Sequence, residues 1–384
     1  MSLTKQDRDR LDKFRAELAY NVKHILGYPP ARDFDYSAIS DFLQFPINNV
    51  GDPFAASTAK IDTREFECEV LSFWAEQLRA PPNEWWGYVT NGGTEGNLYA
   101  MYLARELYPD GIVYFSQDTH YSVNKIVSVL NMRNIMIRSQ DNGEIDYDDL
   151  NETIKIHRDA PPIIFANIGT TMTEAKDDIQ KIIAIIEGLA ISQRYIHSDA
   201  AMSGGFAPFL ANPPEFDFAD GADSIAISGH KFIGSPIPCG LVFAREKHVN
   251  RIARSIAYIG TMDTTISGSR CGFAPLMLWY AMKRYGVDGM RQRAQRSLML
   301  AAHAEQKLKE IGVPAWRNTD AITVVFPQAP AQIQEKWQLA TAKGISHIIA
   351  VPGVSEELID GFVNELRVAK QQEDDGRNDE GALK

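Results

Sequence analysis

Apolar and polar positions divide the chain into short buried runs and longer amphipathic stretches. Short runs rich in β-branched and aromatic residues predict buried strands at 87–90, 112–115, 162–168, 195–198, 224–227 and 241–244. Stretches with a helical period predict helices at 5–26, 63–79, 179–190, 249–258, 291–311 and 355–370, and one that begins in 91–97 and runs to 108. Because strands alternate with helices, we expect a mostly parallel sheet that binds its ligand at the carboxyl ends of its strands.

The order of these elements predicts an α/β fold with a small α+β C-terminal domain, whose strands are expected at 321–326 and 345–351. Four segments are expected: a helical N-terminal segment with a pocket loop (1–55), a large ligand-binding domain (56–275), the small domain (276–370) and a tail (371–384). The tail is acidic and contains glycine, which favours disorder. Residues 259–274 are polar and punctuated by glycines, which favours a mobile loop.

The composition is that of an ordinary globular protein, with 45% hydrophobic and 23% charged residues in a chain of 384. The net charge is −11 and there is no basic cluster, so nucleic acid is not an expected partner. Cys68, Cys239 and Cys271 are widely spaced, which argues against a disulfide framework and for a reducing compartment. Because the chain has no apolar signal region and no run of membrane-spanning length, we expect a cytoplasmic protein without a membrane partner.

Three stretches carry candidate chemistry. Lys231 closes a predicted strand, where partial burial would disfavour its charged form and free the amine as a nucleophile. Asp199 follows another predicted strand and offers a buried carboxylate. The glycine-rich stretch 91–97 opens a helix whose first amides can bind an anion. Together these are the groups that pyridoxal phosphate needs from a protein.

Taken singly, each of these features has an ordinary explanation, such as a surface lysine, a satisfied loop histidine or a common glycine turn. Their positions along the chain argue otherwise, because five of them each follow a predicted strand: 91–97, His120, Thr170, Asp199 and Lys231. The carboxyl ends of parallel strands meet at one edge of the sheet. We therefore expect these residues to converge on one ligand site.

Several motifs are similar to those of a known family: WGYVTNGGTEGN (86–97), DTHYS (118–122), GEIDYDDL (143–150), FANIGTT (165–171), SGHKFIGSPIPCG (228–240) and GSR (268–270). With them the chain resembles the pyridoxal-phosphate-dependent group II amino-acid decarboxylases of fold type I. Within that family it resembles the bacterial histidine decarboxylases and the plant serine decarboxylases. The resemblance runs from about residue 27 to residue 368 and implies an aspartate aminotransferase-like fold with pyridoxal 5′-phosphate as cofactor.

The resemblance also implies a role for each matching residue. Lys231 holds the cofactor through its amine, and Asp199 pairs with the pyridine nitrogen. Ala201 lies against one face of the ring, and His120 stacks on the other. Thr170 lies near the ring's 3′-oxygen. The positions at which the family holds the phosphate are occupied by Gly93, Thr94, Ser228 and His230.

Other functions use some of the same residues. An aminotransferase would need this lysine and aspartate, together with an arginine clamp for the retained carboxylate. A non-catalytic descendant of the fold would be expected to lack Lys231 or Asp199, and both are present. A metal site formed by His120, His197 and His230 is not expected, because these residues lack helix-spaced ligand positions.

The sequence leaves the amino-acid substrate open. Short segments resemble the serine branch at 51–54 and 337–340, and the histidine branch at 34–36 and 315–318. Both branches usually carry Asn, His and Ser where this chain has Cys271, Phe273 and Ala321, and a pocket without such groups selects polar substrates less strongly. Histidine is the first expectation, followed by serine and then by a less polar amino acid. The candidate pocket residues are Tyr28, Asn49, Asp52, Cys271, Phe273 and Ala321.

Similar enzymes are homodimers, or higher even oligomers, that build each active site from two subunits. The amphipathic helix 5–26 needs a surface to cover, and the loop 259–274 would reach the partner's site. Similar enzymes also return a proton to the substrate's Cα from a loop tyrosine or from the stacking histidine. Tyr258 precedes the loop, but the motif does not match it securely.

Overall fold

The computed structural model describes residues 3–56, 58–252, 254–256 and 261–382. The chain forms two compact units, one made of Met1–Arg32 together with Arg296–Lys384 and the other of Asp33–Gln295. The sequence predicts domain boundaries after residues 55 and 275, whereas the compact units of the structure divide after Arg32 and Gln295. Most of the expected ligand-binding residues belong to the larger unit.

The elements follow the alternation that the hydrophobic pattern predicts. The helices are α1 (Lys5–Val22), α2 (Arg64–Gln77), α3 (Gly93–Leu107), α4 (Ser122–Val129), α5 (Tyr147–Ile156), α6 (Ile179–Gly188), α7 (Glu246–Val249), α8 (Phe273–Glu310), α9 (Ala331–Lys336) and α10 (Glu356–Ala382). The strands are β1 (Asn48–Val50), β2 (Trp85–Thr90), β3 (Ile112–Ser116), β4 (Arg133–Ile137), β5 (Pro162–Asn167), β6 (Tyr195–Asp199), β7 (Ser224–Ser228), β8 (Gly240–Arg245), β9 (Arg254–Ile256), β10 (Thr261–Asp263), β11 (Ser269–Cys271), β12 (Thr323–Pro327), β13 (Ala340–Ala342) and β14 (Ile345–Ile349).

The central sheet of the larger unit has the strand order β2-β8-β7-β6-β5-β3-β4. Strands β7, β6, β5, β3 and β4 run parallel to one another, whereas β8 is antiparallel to both of its neighbours, β7 and β2. As a result β2 points the same way as the parallel strands. The predicted α/β fold with a mostly parallel sheet is confirmed, and six strands end at the same edge.

Strands β5, β6 and β7 are buried along their whole length, which is why β5 and the centre of β7 read as apolar runs. The end of β6 instead buries the polar residues His197, Ser198 and Asp199. Helix α3 packs against the strands through small residues. A Cβ placed on Gly96 would lie 3.0 Å from the Ala226 Cβ of β7, so glycine favours this close approach. Around this contact lies a cluster of buried aromatic and aliphatic side chains that includes Trp86, Tyr88 and Tyr99.

The smaller unit contains the antiparallel sheet β12-β14-β13. Helix α1 begins with a capping box in which the Thr4 hydroxyl accepts from the Asp7 amide at 3.2 Å, and the Asp7 carboxylate accepts from the Thr4 amide at 3.0 Å. No residue of α1 is buried. Among the described residues, none of the helices is both long and apolar enough to cross a membrane.

Three local expectations differ from the structure. The predicted helix 249–258 is wrong at Arg254–Ile256, where the backbone pairs with Thr261–Asp263 in an antiparallel hairpin. The expected loop 259–274 contains β10 and β11 and ends in α8, while residues 257–260 lie outside the described part of the chain. Helix α10 includes residues 371–382, for which the composition favours disorder.

Candidate active site

Five sequence-predicted segments lie at one edge of the central sheet. The glycine-rich turn follows β2, His120 follows β3, Thr170 follows β5, Asp199 ends β6 and Lys231 follows β7. All five strands point the same way, so their carboxyl ends bring these segments together. The expected convergence therefore follows directly from the strand order.

The start of α3 contacts the ends of β6 and β7. A Cβ placed on Gly93 would lie 3.0 Å from both the Ala201 Cβ and the Ser228 hydroxyl. Gly92 has φ +147°, and its Cβ position is 3.9 Å from Cε1 of His230. Thr94 is the second residue of α3 and is exposed to solvent. The residues expected to hold a phosphate thus surround the positive end of a helix.

Lys231 lies in a single π-helical turn, Gly229–Ile233, directly after β7. Its backbone has φ −88° and ψ −112°, which departs from helical values. The side chain is half-buried. Burial lowers the pKa of the Lys231 amine, and the nearby Asp199 carboxylate opposes part of this shift. More of the amine is therefore neutral and nucleophilic than in a solvated lysine.

Asp199 is a buried carboxylate with two hydrogen-bond donors. The side-chain amide of Asn97 donates to Oδ2 at 2.9 Å, and the backbone amide of Ala201 donates to Oδ1 at 3.1 Å. Burial raises the pKa of Asp199, while the Ala201 amide, Lys231, His120 and Asn97 each lower it. The ionised carboxylate thus depends on these neighbours.

Behind Asp199 lies a buried polar chain that the sequence reasoning did not assign to the site. Asn97 Oδ1 is 2.9 Å from His197 Nε2, and His197 Nδ1 is 2.9 Å from the Ser224 hydroxyl. All three side chains are buried. Burial lowers the pKa of His197 to about 3, so the ring is neutral. Asn97 ends the motif 86–97, and His197 and Ser224 lie in predicted strands, but their partners become evident only from the fold.

His120 and His230, at this edge of the central sheet, each hydrogen-bond to residues nearby in the chain. His120 Nδ1 is 2.8 Å from the Ser122 hydroxyl and accepts from the Ser122 amide at 3.4 Å. Burial lowers the pKa of His120, as it does that of His230. His230 Nδ1 is 2.8 Å from the Cys239 carbonyl. Among the described residues, no group of three His, Cys, Asp or Glu side chains could hold a metal ion.

Thr170 lies in the loop after β5. Asp177 stabilises the start of this loop through hydrogen bonds with Asn167, the last residue of β5. The Asp177 carboxylate accepts from the Asn167 backbone amide at 2.7 Å and from its side-chain amide at 2.9 Å. The Thr170 hydroxyl is 2.9 Å from that of Thr173 and accepts from the Ala175 amide at 3.0 Å. These bonds set the position of Thr170 at the edge of the sheet.

Two of the expected substrate-pocket residues have their side chains engaged in buried networks. Asn49 donates to Glu67 at 2.7 Å and accepts from the Thr63 amide at 2.9 Å. Asp52 accepts from the Trp86 indole at 2.9 Å and from the Thr264 hydroxyl at 3.0 Å. These contacts fix the side chains of Asn49 and Asp52 in the interior.

The other expected pocket residues lie in different places. Cys271 is half-buried in β11, and Phe273 begins α8 and lines a cavity of about 390 Å³ together with Tyr36 and Leu276. Tyr28 and Ala321 belong to the smaller unit, in which Tyr28 is exposed and Ala321 is fully buried.

Tyr258, which precedes the predicted loop and which the motif does not match securely, lies outside the described residues.

Comparison with known proteins identifies the family. A family profile described as the pyridoxal-dependent decarboxylase conserved domain matches residues 36–315. The chain belongs to the pyridoxal-dependent decarboxylase family. It is 49% identical over 364 residues to a histidine decarboxylase from Mesorhizobium japonicum, covering 95% of this chain and 98% of that protein. It is 46% identical over 382 residues to a histidine decarboxylase from Acinetobacter baumannii, covering 97% and 99%.

Solved structures of other decarboxylases have the same fold. The L-methionine decarboxylase of Streptomyces sp.590 superposes with a TM-score of 0.86 at 27% identity, covering 95% of this chain and 96% of that chain. A glutamate decarboxylase from Lactobacillus brevis superposes with a TM-score of 0.80 at 17% identity, covering 97% and 93%. The predicted fold type is therefore confirmed. The protein is a pyridoxal-phosphate-dependent amino-acid decarboxylase, which sets aside the aminotransferase and non-catalytic alternatives.

The residues at the edge of the sheet fit pyridoxal phosphate. The edge combines an amine of lowered pKa, a buried carboxylate with two donors and a histidine ring. At Gly93 a side chain would crowd the Ser228 hydroxyl at 3.0 Å, so glycine keeps that hydroxyl uncrowded beside the start of α3, where backbone amides favour an anion. The donor set suits both the ring and the phosphate of this cofactor.

Proposed function

We propose that this protein decarboxylates L-histidine to histamine and CO2. The observation that carries the proposal is the similarity to proteins named histidine decarboxylase, at 44–49% identity over nearly the whole chain. The sequence expectation, which places histidine first, agrees with this similarity.

Bound pyridoxal phosphate supplies an electron-accepting ring that takes up the electron pair left when CO2 departs. Lys231 is proposed to hold the cofactor, supported by the burial that favours its neutral amine. Asp199 would keep the pyridine nitrogen protonated, because an adjacent carboxylate favours the cationic form. His120 and Ala201 would contact opposite faces of the ring. With Nδ1 accepting from the Ser122 amide, neutral His120 carries its hydrogen on Nε2.

The phosphate is proposed to lie at the start of α3. The helix dipole and the first backbone amides favour an anion there, and Ser228 and His230 flank the same position. Gly93 and Thr94 would offer their backbone amides. Thr170 would lie toward the 3′-oxygen side of the ring, in agreement with its place after β5.

A less polar substrate is the second candidate, and a specific observation favours it. Cys271 and Phe273 stand where similar enzymes carry more polar residues, and a pocket without such groups selects polar substrates less strongly. The L-methionine decarboxylase that superposes at a TM-score of 0.86 acts on an amino acid of that kind. Serine remains a third candidate, on the motif at 51–54.

The enzyme is also proposed to be a homodimer, or a higher even oligomer, with active sites that two subunits share. Helix α1 supports this proposal, because Leu11, Phe14 and Leu18 lie on one stripe and are all exposed. The cytoplasm is the proposed compartment, supported by the free cysteines Cys68, Cys239 and Cys271.

The test is a side-by-side assay of CO2 release and amine formation from histidine, serine, methionine, leucine and the aromatic amino acids. We expect the largest kcat/KM with histidine. The control is Lys231→Ala, which should release no CO2 above background and should lose the borohydride-stable label that the wild-type protein acquires at residue 231. The absence of histamine at high histidine concentration would refute the histidine proposal, and a label on another lysine would refute the assignment of Lys231.

A further inference from the structure

We propose that Asn97, His197 and Ser224 are positioning residues, which form a hydrogen-bond relay of fixed direction that orients the Asp199 carboxylate and keeps it an acceptor. The inference rests on the proposed role of Asp199 beside the pyridine nitrogen, and it adds three residues to which no role was assigned. None of the three is proposed to touch the substrate.

The relay connects three different elements of the fold. Ser224 begins β7, His197 lies in β6 and Asn97 lies in α3. Successive side-chain atoms are each 2.9 Å apart, from the Ser224 hydroxyl to His197 Nδ1, from His197 Nε2 to Asn97 Oδ1, and from Asn97 Nδ2 to Asp199 Oδ2. All of these side chains are buried, so water does not compete for the bonds.

The hydrogen-bonding capacity of each group sets the direction of the relay. An ionised carboxylate can only accept, so Asn97 must turn its amide nitrogen toward Asp199 and its oxygen toward His197. That oxygen requires a hydrogen on His197 Nε2. Burial lowers the pKa of His197 to about 3, although a hydrogen bond with the Ser224 backbone opposes part of this shift, so the ring is neutral. With its one hydrogen on Nε2, the neutral ring has none on Nδ1. Nδ1 therefore accepts from the Ser224 hydroxyl.

The fixed direction matters because the alternative arrangement is unfavourable. If His197 carried its hydrogen on Nδ1, the Asn97 amide would tend to rotate and place its oxygen against the Asp199 carboxylate. Two acceptors would then face each other in a buried site, where unsatisfied polar groups are costly. His197 with its hydrogen on Nε2 prevents this by holding the amide in one orientation, and the Ser224 hydroxyl bonds Nδ1 in that arrangement.

The relay also connects the two ends of the proposed cofactor site. Asn97 is one helical turn from Gly93, at the α3 start where the phosphate is proposed to bind. The same helix would thus hold the phosphate through its first amides and orient Asp199 through Asn97. A change at Asn97 should therefore alter cofactor binding as well as turnover.

The pH dependence follows from the groups that face Asp199. Lys231 and His120 favour its ionised form through their charge, and the amides of Ala201 and Asn97 do so through hydrogen bonds, whereas burial opposes it. The Asn97 hydrogen bond is one of the contacts that lower the pKa of Asp199. Without it, burial raises that pKa further, and the carboxyl keeps its proton up to a higher pH. The acidic limb of the pH–activity profile should then move to higher pH.

The experiment compares holoenzyme variants by three measurements: the affinity for pyridoxal phosphate, the pH titration of the bound cofactor's absorbance and the melting temperature. For Asn97→Leu we expect about a tenfold or greater loss of affinity and an upward shift of the spectral transition by about one pH unit. Ser224→Ala, which lies farther from Asp199, should lower the affinity by only about threefold and shift the spectral transition by less than Asn97→Leu does.

Two matched comparisons separate the relay from mere structural support. His197→Gln keeps a donor near the position of Nε2, whereas His197→Phe keeps the ring volume without a donor. We expect Gln to retain most of the wild-type spectral titration and Phe to shift it upward. Ser198→Ala is the control for Ser224→Ala. Like Ser224, Ser198 is a buried serine of the central sheet, but it lies in β6 and donates to the Phe216 carbonyl at 2.7 Å. It should leave the titration unchanged.

The outcomes distinguish the relay from the function it rests on. If the wild-type protein binds no pyridoxal phosphate, the proposed function fails. If the wild type binds it and the relay variants change only the melting temperature, the relay is refuted. Equal titrations for His197→Gln and His197→Phe would also refute it. Should Asn97→Leu not fold, the His197 pair and the two serine variants decide the question by the same measurements.

Discussion

At the residue scale, burial shifts the pKa values of two groups of the site in opposite directions. Burial lowers the pKa of the Lys231 amine and raises the pKa of the Asp199 carboxyl, so each moves toward its neutral form. The charge of each partner opposes that tendency in the other. The proposed roles use both effects, since Lys231 needs its neutral amine and Asp199 needs its charge.

Substitution of Asp199 by alanine should nearly abolish decarboxylation while the fold persists. Without the carboxylate the pyridine nitrogen tends to lose its proton, and the loss of one such electrostatic partner lowers kcat by about a hundredfold or more. Steady-state kinetics with saturating cofactor, together with circular dichroism, would check this. The control is Asp223→Ala, a carboxylate at the opposite end of β7 that accepts from the Ile196 amide at 3.0 Å. An Asp199→Ala enzyme that keeps more than about a tenth of wild-type activity, a loss below ~1.4 kcal/mol, would contradict the role.

Asn49 is expected to act on stability more than on substrate choice. Its side chain bonds Glu67 at 2.7 Å and Thr63 at 2.9 Å, and Glu67 also pairs with Arg270 in the interior. Asn49→Ala would leave buried groups unsatisfied, which costs about 1–3 kcal/mol in the free energy of unfolding. Urea denaturation measures this cost, and the ratio of kcat/KM for histidine to that for methionine measures selectivity. A large change in that ratio at unchanged stability would restore Asn49 as a substrate contact.

At the element scale, the start of α3 is the most constrained turn of the site. A Cβ on Gly93 would lie 3.0 Å from two neighbouring side-chain atoms, in Ala201 and Ser228. The helix can present its first amides to an anion only if this position stays open.

Gly93→Ala should therefore weaken pyridoxal phosphate binding by about tenfold, because the methyl group forces Ala201 or Ser228 to move. Equilibrium dialysis of the apoenzyme against the cofactor measures this change. Gly188→Ala is a matched control, since Gly188 ends α6 and its added Cβ would meet no atom within 4 Å. Equal affinities for the two variants would argue against a phosphate at the start of α3.

The hairpin of β9 and β10 illustrates where element prediction failed. The apolar spacing of 249–258 is compatible with a helix, yet Arg254–Ile256 pairs with Thr261–Asp263. Backbone pairing with a later segment decided the conformation, and helical periodicity carries no information about such a partner. By contrast the bounds of β5, β6 and β7 agree closely with the prediction, because strands buried on both faces carry short apolar runs even where they also hold polar residues such as His197 and Ser224.

At the scale of the whole molecule, the main expectation is that the protein forms a dimer or a higher even oligomer. The exposed fractions of Leu11, Phe14 and Leu18 are 50%, 56% and 47%, so α1 presents an apolar stripe to its surroundings. Such a stripe is costly to leave in water, and a second subunit would cover it.

Sedimentation velocity should show a dimer or a higher even oligomer at micromolar concentration. Phe14→Asp should shift the population toward smaller species and lower the activity, because it places a charge in the proposed contact. Lys13→Ala, on an exposed side chain of the same helix, is the control and should leave the distribution unchanged. A fully active monomer of the wild-type protein would refute both the dimer and the shared sites.

The sequence by itself determined the sheet-forming runs, the candidate lysine and aspartate, and the edge at which they meet. It could do so because burial and strand order leave a local record in apolar runs and in the residues that follow them. Only the tertiary structure decided that Asn97, His197 and Ser224 lie behind Asp199, and that Asn49 and Asp52 are engaged in buried bonds. These contacts join residues distant in the chain, such as 97 with 197 or 52 with 264, and no local pattern records which distant partner a polar side chain will meet.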